Sequence, residues 1–99
     1  MKTIDLQAFL AESRIDRVTL ERWIAHRWIV ATEDGERIAL NEVDAARACL
    51  IRDLTDDFGV NEEGVDVVLH LVDQLHGMRR MLAGLRAELD ATKPREPRD

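Results

Sequence analysis

Between Asn61 and Asp90 apolar residues return at Val68, Leu71, Leu75, Met78, Leu82, Leu85 and Leu89, in alternating steps of three and four. That spacing is a heptad a/d seam sustained over three repeats with no proline inside it, and it commits the stretch to one long helix. A second set, Val65, Leu69, Val72 and Met81, lies beside the seam. A helix apolar on two adjacent stripes needs two neighbours. One stripe is expected to serve the chain's own small domain and the other a partner. Glu62, Glu63 and Asp66 in the first turns and Arg79, Arg80 and Arg86 in the later half complement the helix dipole. Gly64 and Gly77 each cost about 1 kcal/mol against alanine, which is too little to predict a break.

The stretch ahead of this helix is read by caps and periods. Asp5 or Thr3 caps a short helix carrying Leu6, Phe9 and Leu10 on one face and ending near Ser13. Asp16 caps a second, with Leu20, Trp23, Ile24 and Trp28 inward. Aromatics at helical spacing are read as core rather than as a stacking platform, since the chain has only four. Ile29-Val30-Ala31 and Arg37-Ile38-Ala39-Leu40 flank an Asp34-Gly35 pair, a hairpin signal that predicts a two-stranded wing leaning on the helices. Asn41, with Asp44 three residues on, opens a third helix whose predicted buried face is Val43, Ala46, Leu50, Ile51, Leu54 and Phe58. Gly59 stops it, and Asn61 caps the long helix. The division expected is a winged-helix-like domain over 1–60, a dimerisation and partner helix over 61–90, and a disordered tail over 91–99.

Composition excludes several functions. With 99 residues the chain is read as one small domain, and 45% hydrophobic with 34% charged residues fits a soluble, helix-rich protein. A net charge of −6 argues against sequence-independent nucleic-acid binding, which depends on cations neutralising phosphate. The single Cys49 allows no internal disulfide and is expected to be a reduced core thiol. His70 and His76 are six apart and share no helix face, so no metal is expected. There is no glycine-rich phosphate loop, no tyrosine and only one serine, Ser13. The protein is therefore expected to be non-enzymatic and without cofactors. The amino terminus carries no signal-peptide pattern and no run approaches the roughly 18 apolar residues of a membrane span. A cytoplasmic, unanchored protein is expected.

Helix, helix, hairpin, helix and long terminal helix is the order of a winged helix-turn-helix protein of the MerR sort, so the predicted fold is mainly α, MerR-like, with a β-hairpin wing and a C-terminal coiled-coil helix. The resemblance implies a second helix in the major groove and a wing on the backbone. Arg14, Arg17, Arg22, Arg27 and Arg37 are the candidate phosphate contacts, but Asp16, Glu21, Glu33, Asp34 and Glu36 balance them in the same window. MerR regulators have recognition helices similar to Ser-Val-Arg-Thr-Leu-Arg-Tyr-Tyr, against Asp16-Arg17-Val18-Thr19-Leu20-Glu21-Arg22-Trp23 here. Val18 and Glu21 replace the two motif arginines, and the wing's Gly-Tyr-Arg becomes Gly35-Glu36-Arg37. Metal-sensing MerR proteins place cysteines around the long helix, where this chain has none.

From Asp53 to Asp73 the chain holds Asp53, Asp56, Asp57, Glu62, Glu63, Asp66 and Asp73 with no lysine or arginine. Such a run is either a solvated helix corner or a docking face for a basic surface, which raises on-rates more than affinity. The segment from Phe58 through Asn61-Glu62-Glu63-Gly64-Val65 to Leu69-His70-Leu71-Val72-Asp73 resembles the Gly-Val-Asn-x-x-Gly-Val…Leu-x-Leu-x-Asp pattern of CbpM-like chaperone modulators. Asn41–Leu54 and Met81–Leu89 are similar to them as well, so the resemblance spans roughly 5–90. It implies a modulator that binds the J-domain of a CbpA-type, DnaJ-like co-chaperone and suppresses its work with Hsp70; the alternative is a DNA-binding MerR regulator. From the charge clustering, Asp53, Asp56, Asp57, Glu62, Glu63 and Asp66 are the expected partner contacts. The seam Val68, Leu71, Leu75, Met78, Leu82, Leu85 and Leu89 is the expected homodimer contact. Its flanks select no orientation, and MerR relatives imply an antiparallel pair.

Overall fold

The computed structural model describes residues 3–34 and 37–92. The fold is mainly helical, and it divides into two compact units, Met1–Asp66 and Val67–Asp99. In chain order the elements are β1 (Thr3–Ile4), α1 (Leu6–Ser13), α2 (Arg17–Ala25), β2 (Thr32–Asp34), β3 (Arg37–Asn41), α3 (Glu42–Arg52), a π-helical turn (Asp53–Asp57) and α4 (Glu62–Thr92).

The caps act as their chemistry requires. Asp5 accepts the Gln7 N–H at 3.1 Å and Asp16 the Thr19 N–H at 2.7 Å. Asn41 and Asp44 form a reciprocal capping box: Asn41 Oδ1 accepts the Asp44 N–H at 2.8 Å, and Asp44 Oδ2 accepts the Asn41 N–H at 3.3 Å. Asn61 Oδ1 accepts the Gly64 N–H at 2.8 Å and starts α4. Arg14 closes α1 in the left-handed region, at φ 62°.

The sheet differs from the expected two-stranded wing. Thr3–Ile4, predicted to lead into α1, instead form a strand antiparallel to β3, with Thr3 opposite Asn41 and Ile4 opposite Leu40. The order is β1-β3-β2, so both sides of β3 are paired. The first hairpin strand is Thr32–Asp34 rather than Ile29–Ala31, in register Thr32 with Ala39 and Asp34 with Arg37. Ile29 is needed elsewhere: it is fully buried in the core while Val30 faces solvent. The predicted turn at Gly35 and residues 93–99 of the predicted tail lie outside the described residues, while Ala91 and Thr92, assigned to that tail, are the last residues of α4.

The core of the first unit is Ile15, Leu20, Trp23, Trp28, Ile29, Ile38, Leu40, Ala48, Ile51 and Val65. Both tryptophans are core residues, Trp23 through the helical spacing that predicts it; Trp28, expected on the same helix face, lies beyond the end of α2 and is turned inward by the left-handed Arg27. On α3 the predicted face holds at Ile51 and fails at Val43 and Ala46. Asp44, Ala48 and Ile51 are buried, Leu50 and Leu54 are half-buried, and Val43, Ala46 and Phe58 are exposed. Asp44 turns inward because the capping box holds it there. Past Arg52 the backbone widens into the π-helical turn, which shifts the side chains that follow. Thr55 takes part in that change, its hydroxyl donating to the carbonyls of Ile51 at 3.0 Å and Arg52 at 3.1 Å. Cys49 is a free, half-buried thiol rather than a core one.

The helix α4 runs unbroken through Gly64, Gly77 and Gly84. In the second unit Leu69 is buried and Val68 and Val72 are half-buried, whereas Leu71, Leu75, Met78, Leu82, Leu85 and Leu89 are exposed, as is Met81. Among the described residues no helix is long and apolar enough to cross a membrane.

Candidate functional site: an acidic corner

The end of α3, the π-helical turn, the Phe58–Asn61 connection and the start of α4 form one corner of the first unit, and all six predicted contact carboxylates sit on it. Local structure divides them into carboxylates with intramolecular partners and carboxylates directed at solvent. Asp53 Oδ1 accepts from Arg52 Nε at 3.1 Å and Nη2 at 2.9 Å, while Arg52 Nη1 donates to the Ser13 carbonyl at 2.8 Å. That guanidinium joins the end of α1 to the π-helical turn, and its bond to Asp53 raises its pKa above the ordinary arginine value. Asp66 accepts the indole N–H of the buried Trp28, and Glu62 Oε1 lies 3.7 Å from His26 Nε2. Asp56, Asp57 and Glu63 are exposed, and of these Asp56 accepts one long bond, at 3.4 Å, from the adjacent Thr55 hydroxyl.

The corner therefore has a structural half and a displayed half. In the first, His26 stacks on Trp28, ring centroids 4.7 Å apart and 17° between planes, and Trp28 reaches Asp66 on α4. The Arg47 Nε donates to the Trp28 carbonyl, which ties the same loop to α3. Arg27, at φ 64°, makes the bend that brings Trp28 inward. A buried tryptophan requires an acceptor for its N–H, but the sequence does not show that this acceptor lies 38 residues away. His26 gives no sequence signal of its own. In the displayed half, Asp56 and Asp57 follow one another around the widened turn, and Glu63 stands in the first turn of α4, where the helix dipole favours a negative charge.

Beside the corner is an open cleft of about 600 Å³. Its walls carry Arg14, Asp16, Arg22, Asp56 and Glu62, and both tryptophans line it. The Thr19 hydroxyl and N–H, followed by the Arg22 charge, hold the Asp16 carboxyl below its ordinary range. The signs on the walls are mixed, so the cleft does not offer the continuous basic surface that phosphate requires.

The candidate phosphate contacts are correspondingly reduced. Arg17 Nε is bound to Glu21 Oε1 at 3.0 Å on α2. Val18, where the MerR motif has arginine, is exposed. Arg14 and Arg22 face the mixed cleft, and Arg27 and Arg37 are exposed outside it. Among the described residues no group of three or more His, Cys, Asp or Glu side chains is placed to hold a metal ion.

A family model described as MerR HTH family regulatory protein matches residues 4–87. No curated protein and no solved structure gives a match.

Proposed function

Starting from a chain that belongs to the MerR HTH regulatory protein family, we propose that it is a chaperone modulator. In this proposal it is a non-enzymatic homodimer that binds the J-domain of a CbpA-type, DnaJ-like co-chaperone and inhibits the co-chaperone's action with Hsp70. One observation carries the proposal: the Asp53–Asp73 stretch holds seven carboxylates and no lysine or arginine, and Asp56, Asp57 and Glu63 from it are directed at solvent on one corner. A basic helical surface is the complement of such a corner, and attraction between them speeds encounter and excludes acidic competitors. The similarity of Asn61-x-x-Gly64-Val65 and its surroundings to CbpM-like proteins is the reason to propose a J-domain as the partner. The weakened arginine set on α2, with Glu21 occupying Arg17, is the reason to prefer a protein partner to DNA.

Dimerisation through α4 is part of the same proposal. Leu71, Leu75, Met78, Leu82, Leu85 and Leu89 are about half to two-thirds exposed. Each is worth roughly 1.5–3 kcal/mol when fully buried, so a second copy laid along the seam is the natural way to cover them.

The test is titration of this protein into a fluorescently labelled J-domain at low and at moderate salt. Saturable binding that weakens as the Debye length falls from about 30 Å at 0.01 M to about 8 Å at 0.15 M is expected. No binding at low salt refutes the proposal. A gel shift on the protein's own upstream DNA is expected to be negative, and a sharp sequence-specific shift would restore the transcription-regulator alternative.

A further inference from the structure

The acidic corner displays an aromatic side chain that its sequence pattern would bury. Ile51, Leu54 and Phe58 fall at i, i+3 and i+7, one face of an α-helix. A π-helical turn adds a residue to the ring it closes, and one residue is worth about 100° around a helix axis. Ile51 is fully buried, and after the turn Phe58 emerges 75% exposed. Trp23 and Trp28 are buried and Phe9 half-buried, so among the described residues Phe58 is the one aromatic given to solvent. The backbone that carries it is held in place: the Phe58 N–H donates to the Asp53 carbonyl at 3.2 Å and the Val60 N–H to the Leu54 carbonyl at 2.8 Å. Gly59, at φ 65°, supplies the reversal between them. π-helical turns recur at functional sites, and a backbone already ordered around the ring leaves only the side chain's own freedom to be lost on binding.

We propose that Phe58 is the apolar anchor of the docking surface, inserting into an apolar pocket rimmed by lysine or arginine on a basic protein partner. The inference rests on the J-domain reading above and deepens it. Charge complementarity selects the occupant: Asp56 and Asp57 immediately precede the ring, and both are exposed. An aromatic at the centre with charges at the rim is the common anatomy of a binding hot spot. The two parts divide the work, the carboxylates accelerating encounter and the ring slowing dissociation.

The experiment titrates labelled J-domain with wild type, Phe58→Ala, Phe58→Trp, Val30→Ala and an Asp56→Asn/Asp57→Asn double variant, at low and moderate salt. Val30 is equally solvent-directed at 80% exposure but lies outside the corner, and so controls for generic surface hydrophobicity. Thermal melts show that each variant is folded. Phe58→Ala is expected to weaken binding tenfold or more at both salts, with Phe58→Trp within threefold of wild type and Val30→Ala unchanged. The double variant is expected to lose affinity chiefly at low salt. Wild-type binding with Phe58→Ala within twofold, or with Val30→Ala equally weakened, overturns the anchor and leaves the J-domain reading standing. Absence of wild-type binding at low salt overturns both.

Discussion

Adding one methyl group at Gly64 tests how α4 is joined to the corner. A Cβ built there lies 2.5 Å from Val60 Cγ1 and 3.1 Å from Asn61 Oδ1, the oxygen that caps the helix. In open helix the change to alanine is favourable by up to about 1 kcal/mol. Here that gain is opposed by overpacking, typically about 1–3 kcal/mol, and by disturbance of a cap worth about 1 kcal/mol. Gly64→Ala is therefore expected to destabilise by about 1–3 kcal/mol. For a domain of this size each kcal/mol moves Tm by roughly 4–8 °C. At Gly84 a Cβ meets nothing within 4 Å, so Gly84→Ala is expected to raise Tm by the propensity gain alone. Thermal and urea unfolding followed by circular dichroism, at one fixed protein concentration, read both. The clash also predicts coupling: Val60→Ala removes the opposing methyl, so Gly64→Ala should cost less in that background. If Gly64→Ala raises Tm as Gly84→Ala does, the close approach is refuted.

Further expectations follow from the caps and the seam. Asn41→Ala removes half of the capping box and is expected to lower stability by about 1 kcal/mol; unchanged urea unfolding would contradict it. Asp16 has its carboxyl pKa depressed in the folded protein by its Thr19 bonds. Its contribution is thus present above the ordinary carboxylate range and lost as pH falls through the folded value. Asp16→Ala is expected to be less stable than wild type near neutrality, and the gap should close in acid; a gap that widens as pH falls would reverse the sign of the argument. Leu82→Glu places a charge on the exposed seam, and sedimentation is expected to show monomer where wild type is dimer, with the helix signal retained. A wild-type monomer at tens of micromolar would refute the seam's role.

The parts of the fold legible in the sequence are those governed by neighbours three or four residues apart. The four caps, the unbroken α4 through Gly77, and the burial of Trp23 all depend on such spacings. The position of the acidic corner was legible for the same reason, since charge runs are visible in one dimension. Its division was not. Asp53 and Asp66 look like Asp57 in the sequence, yet one is held by Arg52 and the other by Trp28. Phe58 was misplaced because helical periodicity assumes an unchanged turn width, and the widened turn after Arg52 broke that assumption.

The sequence alone determined the helices, their starts, the exposed leucine seam and the sign of the corner, because each follows from local backbone chemistry or from composition. Tertiary structure decided that β1 pairs with β3, that Ile29 fills the core instead of a strand, that Trp28 is bonded to Asp66, and that Phe58 faces solvent. Those outcomes depend on which groups far apart in the chain satisfy one another's hydrogen bonds and fill the same volume. A buried indole N–H or an unpaired strand edge demands a partner without naming it, and only the folded packing supplies the name.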